Sequence, residues 1–313
     1  MSRKSLKAGF VQHENKGDRE LNLHYISTQI ADLAKQGTQL VVLQELHNGA
    51  YFCQQEDIAY FDLAENISGP SFEFLSQTAK THHVVIVASI FEKRAEGIYH
   101  NTALVIDNDG TLAGYYRKMH IPDDPGFYEK FYFTPGDHDV PGFQPISTRV
   151  GKLGVLICWD QWYPEAARLM ALAGAEILIY PTAIGWNPSD EIAEQQRQQM
   201  AWQIVQQGHA VANHLPVISC NRIGFEPDPA VLSNDSNPNA SQGILFWGNS
   251  FIAGPQGNIL MQADANTASS QCCEIILQQS ADLRKIWPFF RDRRIDAYNK
   301  LVKRYIDSQD SSC

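Results

Sequence analysis

The sequence is short of several features that would mark whole classes of protein. No segment approaches the roughly 20 apolar residues that a membrane-spanning helix needs. The opening stretch, MSRKSLKAGFVQHEN, carries a few basic residues and a short strand-like run, not the longer apolar core of a secretory leader. A cytoplasmic chain is expected, in which the Asn-x-Ser matches at Asn66, Asn234 and Asn239 carry no glycan. Cationic charge is also scarce: 25 Lys and Arg stand against 35 Asp and Glu, for a net charge of -10. That balance argues against nucleic acid, whose phosphates need clustered basic side chains, and mildly favours cationic small molecules. The six cysteines form no C-x-x-C pair and no metal-finger spacing, so free thiols are expected in a reducing compartment. No repeat of fixed period is present.

What is there reads as one folded domain spanning 1–313. Hydrophobic residues make up 44% and charged residues 19%, ordinary values that exclude wholesale disorder. Apolar runs at 7–11, 39–44, 84–91, 102–106, 111–116, 153–158, 177–181 and 217–220 predict strands. Several lack polar alternation, as strands covered on both faces do. Helical spacing predicts helices at 18–35, 71–81, 164–173 and 191–213, and the third opens on Pro164 and closes at Gly174. Asn108, Asp109 and Gly110 between two strand runs predict a hairpin. Further strands are expected at 248–253, 258–262 and 272–277, after a Pro-, Asn- and Ser-rich surface loop at 226–243. The tail is expected to be helical over 292–306. Strands alternating with helices, plus hairpins, point to a layered α/β fold with mixed sheets.

Three places share one local form, a charged or reactive residue at the end of an apolar strand. Glu45 follows an apolar run broken only at Gln44, at the edge of a dry core where lost solvation favours proton uptake by a carboxylate. Lys118 follows another strand, and in a cleft its ammonium supplies a fixed positive charge for an oxyanion. Glu129, among Phe127, Tyr128, Phe131 and Tyr132, is placed to keep that lysine charged. Cys158 ends a third strand, before a turn and the helix at Pro164, where free backbone N–H groups and a helix end lower a thiol's pKa. Taken alone, each cysteine is as well explained as a small buried hydrophobe.

Together, LQE after a buried strand, YRKMH with GFYEKFYFTPGD, and GVLICWDQWYPE resemble the Glu–Lys–Cys amidohydrolases of the nitrilase superfamily of carbon–nitrogen hydrolases. YPTAIG at 180–185, CNRIG at 220–224 and NSFIAGPQGNI at 249–259 extend the resemblance over most of the chain. Within it, GAYFCQ at 49–54, KMHIPDDPGFYEKFYFTPGD from Lys118 and PFFRDRRIDAY from Pro288 are most similar to the N-carbamoylputrescine amidase branch. The resemblance implies a four-layer αββα sandwich of two mixed β-sheets. It also implies homo-oligomers, a dimer or higher, with the extension from about residue 288 contributing to subunit contacts.

The implied activity is hydrolysis of a small cationic carbamoyl amine to putrescine, carbon dioxide and ammonia, within polyamine biosynthesis. Glu45 would take the proton of Cys158, and the thiolate would attack the ureido carbonyl. Lys118 and the backbone N–H of Trp159 would hold the oxyanion, and Glu129 would orient Lys118. No metal or organic cofactor is implied. For the distal ammonium, Asp123 and Asp124 are the candidate carboxylates, although both also suit a Pro-rich turn. Tyr51, Phe52 and Trp186 are the candidate walls. Three other readings compete: a Cys–His hydrolase using His209 or His214, a catalytically silent scaffold, and a relative acting on nitriles, another carbamoyl amine, a carbamoyl amino acid or an amide.

Overall fold

A computed structural model describes residues 4–229 and 242–306. The first sheet holds β1 (Leu6–Gln12), β2 (Leu40–Leu43), β3 (Val85–Ala95), β4 (Ile98–Ile106), β5 (Leu112–Arg117) and, from late in the chain, β15 (Ser269–Ile275). Their order is β15-β1-β2-β3-β4-β5. β1, β2 and β3 are parallel, linked through helices α1 (Arg19–Lys35) and α2 (Pro70–His82), while β4 and β5 return antiparallel. Asp18 caps α1 by accepting from the Leu21 N–H at 2.9 Å, and α2 opens on Pro70. The hairpin expected at 108–110 joins β4 to β5, with Gly110 at φ 88 and its N–H on the Asp107 carbonyl.

The second sheet runs β14 (Ile259–Gln262), β13 (Phe251–Ala253), β10 (Val217–Cys220), β8 (Ile177–Pro181), β7 (Gly151–Val155), β6 (Ile146–Thr148). Helices α4 (Pro164–Leu172) and α5 (Ile192–Asn213) make the crossovers between the parallel β7, β8 and β10. A small third sheet, β11 (Ile223–Pro227), β12 (Gly243–Trp247) and β9 (Gly185–Trp186), caps one end. Of the loop expected at 226–243, residues 230–241 lie outside the described ones, and its flanks belong to β11 and β12.

The unbroken apolar strands are explained by what covers them. In β2, Leu40 and Val42 join the core shared with Leu153, Val155, Ile177 and Ile179 of the other sheet. Val41 and Leu43 point the opposite way, onto Ile26, Ile30 and Leu33 of α1 and Leu75 of α2. On the far side, Ala166 and Met170 of α4 and Trp202 and Ala210 of α5 cover the second sheet. The chain by itself is therefore an αββα sandwich of two mixed sheets.

The tail departs from expectation. Instead of a helix over 292–306 there are two isolated 3-10 turns, Ile295–Ala297 and Asn299–Val302, neither with a buried side chain. Its apolar side chains, Ile295, Leu301 and Val302 among them, stay exposed, so no burial on this chain offsets the cost of helix nucleation. An α-helix forms just before it, α6 (Gln278–Ile286). Phe289 stacks on His214 with ring centres 4.4 Å apart, and Phe290 lies under the guanidinium groups of Arg168 and Arg284, so part of the extension packs on its own chain. Among the described residues no helix is long and apolar enough to cross a membrane.

Candidate active site

The site lies where three strands end on one edge of the sandwich. Parallel strands in a layered α/β fold leave a crevice at their carboxyl ends. Here β2 leads to Glu45, β5 to Lys118 and β7 to Cys158. A single turn, α3 (Glu129–Tyr132), brings in the fourth residue.

Three of the four touch directly. Lys118 is fully buried, and its Nζ donates to Glu45 Oε1 at 2.8 Å and to Glu129 Oε2 at 2.7 Å. Burial alone opposes its charge, but the Glu129 and Glu45 carboxylates outweigh that and hold the ammonium well above the usual lysine range. Burial pushes Glu129 up to about 7, against the pull of Lys118. Tyr51 donates its hydroxyl to Glu129 Oε1 at 2.8 Å. Glu45 accepts further bonds from Asn101 Nδ2 at 2.7 Å and from the Ala183 N–H at 2.9 Å.

Cys158 meets this cluster across the backbone of one residue, Ala183. Its thiol points at the Ala183 carbonyl, 3.8 Å away, while the N–H of the same residue holds Glu45. The residue sits at φ 41, the left-handed region, at the start of a 3-10 stretch, Cys158–Trp162. Such a conformation costs a non-glycine residue about 1–3 kcal/mol and persists only where neighbours enforce it. Asp160, fully buried, does the enforcing. It accepts from the Ile157 N–H at 2.9 Å and the Tyr116 hydroxyl at 2.9 Å through one oxygen, and from His120 N at 3.0 Å and His120 Nδ1 at 2.6 Å through the other. One carboxylate thus fastens the lysine loop to the cysteine turn.

The expected thiol acidity is corrected. Burial, then Glu45, raises the Cys158 thiol well above its ordinary value, and Lys118 only partly opposes them. The helix that was to lower it, α4, begins at Pro164, after the intervening 3-10 stretch. The resting sulfur is therefore a thiol.

A cavity of about 600 Å³ opens onto Cys158 and Glu129. Of the candidate substrate contacts, Trp159 and Asp124 line it; Tyr51, Phe52, Trp186 and Asp123 do not. Tyr51 and Phe52 line a different cavity, of about 680 Å³, and Tyr51 reaches the site only through its hydroxyl on Glu129. Trp186 turns away because successive strand residues face opposite sides: Gly185 lines the cavity, while the Trp186 ring lies behind Trp247 and donates to the Gln195 carbonyl at 2.8 Å. Asp123 is half-exposed, 3.9 Å from Lys130. His209 bonds the Tyr180 hydroxyl and is held neutral by burial, near pKa 4, and His214 meets the Trp287 carbonyl. Both serve packing rather than the thiol.

Sequence reasoning passed over Asn101, Asp160 with His120, Arg222 and the rim formed by α5. Arg222, fully buried, donates to the carbonyls of Glu45, Leu46 and Gly49 and to Glu226 Oε1, and so braces the loop after Glu45. An Asn inside the apolar β4 run was the one local signal of these. No three His, Cys, Asp or Glu among the described residues are grouped to hold a metal ion.

The family model of the carbon–nitrogen hydrolases matches residues 7–285. An N-carbamoylputrescine amidase of Arabidopsis thaliana is 40% identical over 301 residues, covering 96% of each chain. A citrullinase of Francisella tularensis is 37% identical over 302 residues, covering 96% of this chain and 99% of its own. The crystal structure of a carbon–nitrogen hydrolase from Helicobacter pylori G27 superposes with a TM-score of 0.91 at 51% identity, over 96% of this chain and all of that one.

Proposed function

The chain belongs to the carbon–nitrogen hydrolase family, and from that premise we propose that it hydrolyses N-carbamoylputrescine to putrescine, carbon dioxide and ammonia. The observation that carries the mechanism is the buried Lys118 ammonium, hydrogen-bonded to Glu45 and Glu129, with Glu45 accepting the Ala183 N–H and the Cys158 thiol on the carbonyl of that same residue.

Glu45 takes the thiol proton as Cys158 Sγ attacks the ureido carbonyl. The oxyanion forms beside Lys118 and the Trp159 backbone, where losing one fixed donor costs about 3–4 kcal/mol. As the carbonyl re-forms, the carbon–nitrogen bond to the terminal amide breaks and Glu45 passes its proton to departing ammonia. A carbamoyl thioester remains on Cys158. Glu45 then takes a proton from water, whose hydroxide attacks the thioester. The thiol leaves with its proton restored, and the freed carbamate loses carbon dioxide to give the amine. Glu129 holds Lys118 in place throughout.

A second reading, hydrolysis of a carbamoyl amino acid, is supported by the 37% identity to a citrullinase. The deciding experiment supplies purified protein with N-carbamoylputrescine, citrulline and an aliphatic nitrile and measures ammonia and carbon dioxide. Turnover of the first above the others supports the proposal. Preference for citrulline selects the second reading, and turnover confined to the nitrile overturns both. We further propose a cytoplasmic homo-oligomer acting in polyamine synthesis. The extension leaves Trp287, Tyr298, Leu301, Val302 and Tyr305 exposed for subunit contact, and native mass against truncation at residue 287 tests that part.

A further inference from the structure

The cavity changes character from floor to rim. Cys158 and Glu129 at the floor are buried, and Phe127, Trp159, Trp162 and Trp247 supply apolar wall. At the rim stand Asp124, Asp190, Glu194 and Arg197, the last two on the first turns of α5. Among the described lining residues Arg197 is the one cation with full-time charge. It is already engaged: its Nε and Nη2 lie 2.9 and 2.6 Å from a single oxygen, Glu194 Oε2, while Gln198 Nε2 donates to Oε1 at 3.1 Å. Those donors, Arg197 first, hold the Glu194 carboxyl below the usual range, so it is ionised at neutral pH.

The segment that carries the pair is fastened to the site. Gln195 accepts the Trp186 indole N–H on its carbonyl, and its side chain donates to the Asp190 carbonyl at 3.1 Å. Trp186 in turn lies against Trp247, a wall of the cavity. Position at the rim is therefore inherited from the packing of the wall.

An ω-carboxylate entering this cavity meets three acids and finds its cation bound to one of them. An ω-ammonium meets three acids, and Arg197 must yield to only one. We propose that the Glu194–Arg197 pair is the device that reads the distal charge of the substrate, admitting a terminal ammonium and turning away a terminal carboxylate. This rests on the ureido-hydrolase reading above. It assigns the selection to α5, not to the Asp123–Asp124 turn.

The test compares kcat/KM for three ureas of matched length, N-carbamoylputrescine, butylurea and 4-ureidobutyrate, in wild type, Glu194→Gln, Arg197→Gln and the double variant. For a half-exposed pair, Glu194→Gln is expected to lower the cation-to-neutral ratio about three- to tenfold, through KM and not kcat. The same variant raises the acid-to-neutral ratio by freeing Arg197, and the double variant loses that gain. Arg197→Gln moves the cation-to-neutral ratio the other way. Ratios that stay within about twofold in all variants overturn the inference while leaving the hydrolase reading intact. If wild type hydrolyses none of the ureas, the hydrolase reading fails, and calorimetric binding of 1,4-diaminobutane decides the inference separately. Weaker binding to Glu194→Gln supports it, and equal or absent binding overturns it.

Discussion

Two cavities of similar size, about 600 Å³ and about 680 Å³, differ in what lines them, and of the two only the smaller reaches the Cys158 thiol. The larger is walled by Tyr51, Phe52, Phe225 and Glu226, and its buried carboxylate is spent on Arg222 and the Tyr51 N–H. In the smaller, Glu129 shares the wall with a thiol held at positive φ. Volume does not separate them. What does is whether the buried charges serve the backbone or face a reactive atom. The charges around Arg222 lock a loop in place; those around Lys118 are gathered one residue, Ala183, away from a buried thiol.

That contrast can be broken most sharply at the sulfur. Cys158→Ala is expected to lower turnover by about 10⁴-fold or more while unfolding at an unchanged midpoint, since loss of a nucleophile removes the reaction path. Steady-state kinetics and thermal denaturation check both halves. Next comes Lys118→Met, which strands Glu45 and Glu129 without their shared cation. Breaking a buried pair this way costs about 3–5 kcal/mol, and removing an oxyanion donor costs about 10²–10³ in kcat, read by denaturant unfolding and initial rates.

The pH response sharpens the same comparison. Glu129, raised to about 7 by burial, is protonated below that value and then cannot accept from both Lys118 and Tyr51. Activity should rise as pH passes upward through about 7, and Glu129→Gln should lose that limb at lower overall activity. Alkylation of Cys158 by iodoacetamide should be slower at pH 8 than that of an ordinary thiol and still climbing at the most alkaline pH measured, because the thiol is raised. The smallest effect belongs to the other cavity. Leu63→Ala, at a half-exposed wall position there, is expected to change stability by under about 1 kcal/mol and kcat/KM by less than twofold.

How much of this was legible depended on how local its cause is. The strands 177–181 and 217–220 match residue for residue, because apolar runs covered on both faces announce themselves without reference to neighbours. Glu45, Lys118 and Cys158 were legible as residues that break such runs. Asp123 and Trp186 were misplaced by proximity in sequence: a one-residue step along a strand or turn reverses the facing side. The acidity of Cys158 was misjudged because the helix after it starts too late and the burial around it comes from other strands. The tail was read from composition that suits a helix, but no surface awaited it.

From the chain alone came the periodicities, the caps, the layered α/β class and the identity of an acid, an ammonium and a thiol, because each of these is written within a few consecutive residues. Only the assembled sandwich decided that three strand ends share one dry edge, that Asp160 ties the lysine loop to the cysteine turn, and that α5 supplies the charged rim. Most of the contacts that do so join segments far apart in the chain, as in the 44-residue step from Tyr116 to Asp160 and the 138-residue step from Glu45 to Ala183. No local pattern encodes such distances; they are set by how the two sheets stack.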